Sequence, residues 1–122
     1  PDGSGEGGYV NYTYRTYRAL TAMFSKEQDG KRFKNFVTVT PVTESQSILW
    51  VYEALNFNHD IPKEQMRTRQ DEITGQDVPI VESQRPEKLP LDLQSELHRP
   101  SDRCSIAYRK WLRSHNLSFG TS

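Results

Sequence analysis

Apolar and polar positions divide the chain into two regimes. From Tyr9 to Phe24, YVNYTYRTYRALTAMF, Tyr12 and Tyr14 alternate with Thr13 and Arg15, the period-two pattern of a strand with one wet face. SKEQDGKR follows, and its Asp29-Gly30 pair is a strong hairpin signal. The next run, FKNFVTVTPV from Phe33 to Val42, is rich in aromatic and β-branched residues and predicts a second strand. A polar turn, TESQ, separates it from a third apolar run, SILWVYEALNF, Ser47 to Phe57. Three strands joined by short polar turns read as an antiparallel meander.

After Pro62 the period lengthens. KEQMRTRQDEI places Met66 and Ile73 seven apart with charges between, which fits a surface helix with Pro62 just inside its start. Gly75 interrupts the pattern, which resumes with Asp77, Ile80, Val81 and Gln84. RPEKLPLDLQSELHRP contains three prolines and is expected to be mostly extended. Pro100-Ser101-Asp102 then starts a last helix with Ser101 as N-cap. Along it Cys104, Ala107, Tyr108, Trp111, Leu112 and His115 recur at spacings of three and four, while Arg103, Arg109, Lys110 and Arg113 take the other face. Strands first and helices afterwards give an α+β fold class, with helices covering one side of an antiparallel sheet.

Composition narrows the function. The chain has 122 residues, enough for one modest domain, but its apolar fraction of 34% promises a thin core. Lys+Arg and Asp+Glu number 16 each, so net charge makes no case for nucleic acid or an anionic membrane. No apolar run approaches the ~20 residues that span a bilayer. The expectation is a cytoplasmic protein. One cysteine, Cys104, excludes a cluster held by several cysteines of this chain. PDGSGEGG holds four glycines in eight positions, so residues 1–8 are expected to be a flexible linker or fragment edge, and residues 9–122 part of something larger.

No phosphate loop, nucleophile elbow or paired-cysteine metal motif is present. His59, His98 and His115 share no helical or hairpin spacing, which argues against a metal site built from this chain alone. Asp77 is the exception. If helical phase carries across Gly75, then Met66, Ile73, Asp77, Ile80 and Gln84 form one stripe, and a carboxylate on it points inward. Buried and ionised, it needs a cation, hydrogen bonds or a metal. The competing reading is structural: Gly75 ends one helix, and Asp77 caps a second with Pro79 in its first turn.

Together the segments GQDVPIVESQRPEKLPLDLQSELHRPSDRCSIAYRKWLRSHNL and VTVTPVTESQSILWVYEALNF resemble the C-terminal end of the catalytic domain of Rieske-type non-haem iron oxygenases. In that family an Asp is followed five residues later by Glu, then often by Gln, and then by a helix with a Tyr-Arg-x-Trp-Leu-like run. Here those are Asp77, Glu82, Gln84 and Tyr108-Arg109-Lys110-Trp111-Leu112. The resemblance runs from about Phe33 to Leu117. It implies a helix-grip fold in which an antiparallel β-meander packs against a C-terminal helix. It implies Asp77 as the carboxylate of a two-histidine, one-carboxylate triad holding mononuclear Fe(II). A [2Fe–2S] Rieske cluster on another domain would deliver electrons from a reductase or ferredoxin.

Glu82 and Gln84 then read as residues behind the ligand or packing the helix. Tyr12, Tyr14, Phe36, Trp50 and Tyr52 are strand positions suited to line a cavity for a small aromatic or apolar substrate, with the inward face left open. The parent would be a mono- or dioxygenase that hydroxylates or demethylates, and the resemblance implies a homotrimer. The departures are large: neither the paired histidines nor the cluster's ligands occur here, so this chain alone is expected to be inactive. The competing function is a metal-free helix-grip module that binds an apolar small molecule or a protein partner.

Overall fold

The computed structural model describes residues 8–17 and 19–117. The linker expected over residues 1–8 falls, except for Gly8, outside them. The chain divides at His59–Asp60 into two compact units.

The first unit is a four-stranded antiparallel sheet in the order β1-β2-β3-β4, with β1 Asn11–Thr16, β2 Thr21–Gln28, β3 Lys31–Pro41 and β4 Ser47–Leu55. The meander is as expected, but it has four strands where the sequence promised three. The stretch from Tyr9 to Phe24 is a hairpin and not a single strand. Its reversal runs through Leu20 at φ 63, a left-handed conformation that leucine seldom adopts. Gly, Asn and Asp usually mark such a turn, and here none of them does. The β2–β3 turn is the legible one: Asp29 and Gly30 both have positive φ, 50 and 76, as a two-residue hairpin of this type requires. Asn56 closes the strand end, its Oδ1 accepting from Arg32 N–H at 2.6 Å and its Nδ2 donating to Gly30 O at 3.0 Å.

Antiparallel register assigns the faces, because directly opposed residues share one. Tyr14, Phe24, Asn35 and Glu53 form one cross-strand row; Tyr12, Lys26, Phe33 and Leu55 form the next. Met23, Phe36 and Tyr52 belong to the opposite face, as do Thr38 and Trp50.

The second unit holds two helices. α1, Lys63–Glu82, runs for 20 residues without a break. Gly75 does not end it, so Asp77 caps nothing and lies inside the helix. Pro62 precedes the first turn, its carbonyl accepting from Gln65 and Met66 at 3.1 and 3.2 Å. Pro79 lies inside the helix, where a missing N–H normally argues for a break. The inward stripe is not seen. No residue of α1 is buried, Met66 is half-buried, and Ile73, Asp77 and Ile80 are exposed along with Gln84 just past the helix end.

Residues 84–99 turn repeatedly instead of running extended, with Asp92 accepting from Gln94 and Ser95 at 3.0 and 3.2 Å. A short 3₁₀ turn, Pro100–Asp102, leads into α2, Arg103–Ser114. Asp102, and not Ser101, fastens this start: its carboxylate accepts from Arg99 N–H at 2.7 Å. α2 ends in the reversal that Asn116 permits at φ 56, with Leu117 and Asn116 N–H donating to Leu112 O and Arg113 O.

The core of this unit lies where residues 84–99 meet α2. Leu91 and Leu112 are 5% and 2% exposed, and Arg109, assigned to the wet face by periodicity, is 6% exposed. The turns of the preceding segment bring it partners. Arg109 Nε donates to Pro90 O at 2.9 Å, its Nη1 to Ser105 Oγ, and its Nη2 pairs with Glu96 at 2.5 Å. The α+β class therefore stands: a four-stranded antiparallel sheet and a C-terminal helix.

Candidate functional site

Aromatic side chains dominate both faces of the sheet. On one, Tyr12 and Tyr14 stack with ring centroids 6.2 Å apart, Tyr14 lies 6.1 Å from Phe24, and Phe24 lies 6.0 Å from Phe33. Lys26 Nζ stands over this series, 5.5 Å from Tyr12, 5.6 Å from Phe24 and 5.8 Å from Phe33, within cation–π range of all three. On the other face Phe36 lies 6.2 Å from Tyr52 and 6.5 Å from Tyr17, and Trp50 Nε1 donates to Thr40 Oγ1 at 3.1 Å. Tyr12, Tyr14, Phe36, Trp50 and Tyr52 therefore cannot line one surface. Tyr12 and Tyr14 share one face, and Phe36, Trp50 and Tyr52 share the other. Strand alternation predicts such a split, because Tyr12 and Phe36 fall on opposite phases once β2 lies between them.

The first face carries polar groups within its apolar wall. Asn35 is 4% exposed, and its Oδ1 is closed off from solvent with no hydrogen-bond partner. An unsatisfied buried amide oxygen costs about 1–3 kcal/mol. Sequence reasoning missed this residue, although a signal exists: Phe33, Val37 and Val39 hold the same phase of β3, and Asn35 is the polar interruption. An aromatic surface with a few oriented polar groups suits a flat, mostly apolar ligand that also has polar edge atoms.

Asp77 sits on α1 with its carboxylate exposed. Glu82 is the last residue of that helix and is exposed. Five residues on a helix rotate a side chain by about 140° net, so Asp77 and Glu82 face different ways. Gln84 serves the helix end, its Nε2 donating to Ile80 O at 3.0 Å. Among the described residues no group of three or more His, Cys, Asp or Glu side chains is placed to hold a metal ion. His115 is engaged at the end of α2, its ring 4.4 Å from Trp111 and its Nδ1 2.9 Å from Trp111 O. His98 has a buried Nε2 without a partner. Among the described residues the donors do not amount to an iron centre, which takes two imidazoles besides one carboxylate. Among the described residues no helix is long and apolar enough to cross a membrane.

Residues 7–116 match the family described as the vanillate O-demethylase oxygenase C-terminal domain. A relative from Pseudomonas sp. (strain TJI-51), named probable methylxanthine N7-demethylase NdmC, is 34% identical over 117 residues, which cover 93% of this chain. The chain spans 41% of that relative's length.

Proposed function

This chain belongs to the family of Rieske-type oxygenase C-terminal domains, and from that premise we propose that it forms part of an O₂-using demethylase or hydroxylase of a flat heteroaromatic compound. The carrying observation is the family match over residues 7–116, which takes in the whole sheet, α1 with Asp77, and α2. The name of the relative favours a methylated xanthine as the substrate class. The aromatic face of Tyr12, Tyr14, Phe24 and Phe33 has the chemistry to receive such a ring, since flat π-systems stack on it while Lys26 and Asn35 address its polar edge. Of the five residues expected to line the cavity, Tyr12 and Tyr14 belong to this proposed wall.

Asp77 is the metal ligand that this chain supplies to the parent enzyme. Two histidines from outside these 122 residues would complete the Fe(II) site, and a Rieske-type [2Fe–2S] centre, also outside them, would supply electrons from a reductase or ferredoxin. Iron bound there would supply the oxygen chemistry; the part of this chain is to provide one ligand and to seat the substrate. Glu82 and Gln84 shape the end of the helix that carries Asp77. The parent assembles as a homo-oligomer, a trimer by family resemblance, and the isolated 122 residues are inactive.

The test is reconstitution. The complete oxygenase containing this chain, loaded with iron and supplied with NAD(P)H and its reductase, is offered 7-methylxanthine, and formaldehyde release is followed. Formaldehyde formed in step with substrate loss supports the reading. Tight binding of the xanthine with no O₂ consumption would favour the metal-free binding module instead.

A further inference from the structure

The middle of the sheet carries a polar group that its own surroundings do not satisfy. Asn35 lies halfway along β3, directly across from Phe24 on β2 and Glu53 on β4. Phe33 and Val37, two residues away on either side, point to the same face. The rings of Phe24 and Phe33 are tilted against one another at 6.0 Å, with Lys26 Nζ over both. Within this wall Asn35 Oδ1 has neither water access nor a partner. Phe24, Phe33 and Glu53 beside the amide are half-buried, so part of each stays open to a ring.

We propose that Asn35 is a specificity-determining residue whose amide oxygen accepts a hydrogen bond from a ring N–H of the heteroaromatic substrate. The inference rests on the oxygenase reading given above. A carbonyl oxygen only accepts, so the group that relieves it must be a donor. A planar ring stacked on Phe24 and Phe33 presents its edge atoms in its own plane, and a ring N–H among them supplies that donor. Methylation at that nitrogen removes the donor and puts a methyl group against a buried oxygen. Discrimination of this kind is strong, because the disfavoured ligand leaves a buried polar atom unpaired. The site is then a reader of methylation pattern: a xanthine with a free ring N–H enters, and one methylated at every ring nitrogen that can carry a proton does not.

The experiment compares kcat/KM for 7-methylxanthine, which keeps ring N–H groups, with that for caffeine, which has none. It uses the complete iron-loaded oxygenase as wild type, Asn35→Leu and Asn35→Asp. The expected wild-type preference for 7-methylxanthine is about tenfold to a hundredfold, the worth of one buried hydrogen bond. Asn35→Leu removes that preference by lowering kcat/KM for 7-methylxanthine about tenfold to a hundredfold, chiefly through KM. Asn35→Asp keeps an acceptor at the same place and keeps the preference, which separates hydrogen bonding from a merely structural role. An unaltered preference in Asn35→Leu overturns the proposal, as does loss of the preference in Asn35→Asp, which would mean that the amide donates instead. A wild-type enzyme that demethylates 7-methylxanthine without any such preference refutes the role of Asn35 alone. One that demethylates neither xanthine refutes the methylxanthine reading and the role of Asn35 with it.

Discussion

Gly75 and Pro79 stand one turn apart in the unbroken helix α1, with Asp77 midway between them. Pro79 has no N–H to give to the Gly75 carbonyl, so one rung of the helix ladder is missing beside the proposed metal ligand. Proline inside a helix costs about 3 kcal/mol relative to alanine, and glycine about 1. Local propensity alone would end the helix here, and it continues nevertheless.

That continuity makes Gly75→Ala informative. A Cβ at this position meets nothing within 4 Å, and Gly75 is not among the residues with positive φ. The substitution is expected to raise stability by about 0.5–1 kcal/mol, chiefly by reducing the freedom of the unfolded chain. Urea unfolding reads this directly. A loss of similar size would mean that Gly75 terminates a helix after all.

Arg109 is the polar anchor of the second unit. Its guanidinium is buried, while the Glu96 side chain keeps 35% of its exposure and can rehydrate when its partner is lost. Arg109→Leu is therefore expected to cost about 2–3 kcal/mol, below the usual range for a fully buried pair. Arg109→Lys should lose about 1–2 kcal/mol, because one ammonium cannot reproduce the fork that reaches Pro90, Ser105 and Glu96 together. Thermal unfolding of both variants checks the order, and equal stability of Arg109→Leu and the wild type would contradict the burial.

The left-handed turn at Leu20 predicts an unusual ranking of substitutions. Leu20→Val keeps an apolar side chain but adds a β-branch that resists positive φ, and it should destabilise by about 1 kcal/mol. Leu20→Asn loses apolar contact yet suits the conformation, and it should stay within about 0.5 kcal/mol of the wild type. The reverse ranking in a melting series would show that residue 20 is not left-handed.

What could be read in advance follows from where the signal was local. Asp29-Gly30 announced its hairpin because both residues tolerate positive φ, whereas the Leu20 turn was invisible because leucine carries no such signal. Periodicity located α2 and its buried Leu112 but put Arg109 on the solvent side, since its partners Pro90 and Glu96 lie 19 and 13 residues upstream. Gly75 and Pro79 left a continuous helix and two separate helices both open, and α1 runs through both residues because the fold overrides their propensities. Asp77 stood out by its neighbours, but its geometry matched neither inward burial nor a cap. The aromatic candidates were sound as strand residues, and only register could separate Tyr12 and Tyr14 from Phe36, Trp50 and Tyr52.

If this chain contributes the metal carboxylate, the mononuclear iron content of the complete oxygenase depends on Asp77. Asp77 is exposed within α1, so Asp77→Ala should leave the unfolding midpoint nearly unchanged, within about 0.5 kcal/mol. Mononuclear iron per subunit should fall from near stoichiometric to near zero while the iron of the Rieske centre is kept, and formaldehyde release should fall with it. A folded Asp77→Ala enzyme that retains its mononuclear iron and its turnover would contradict the account.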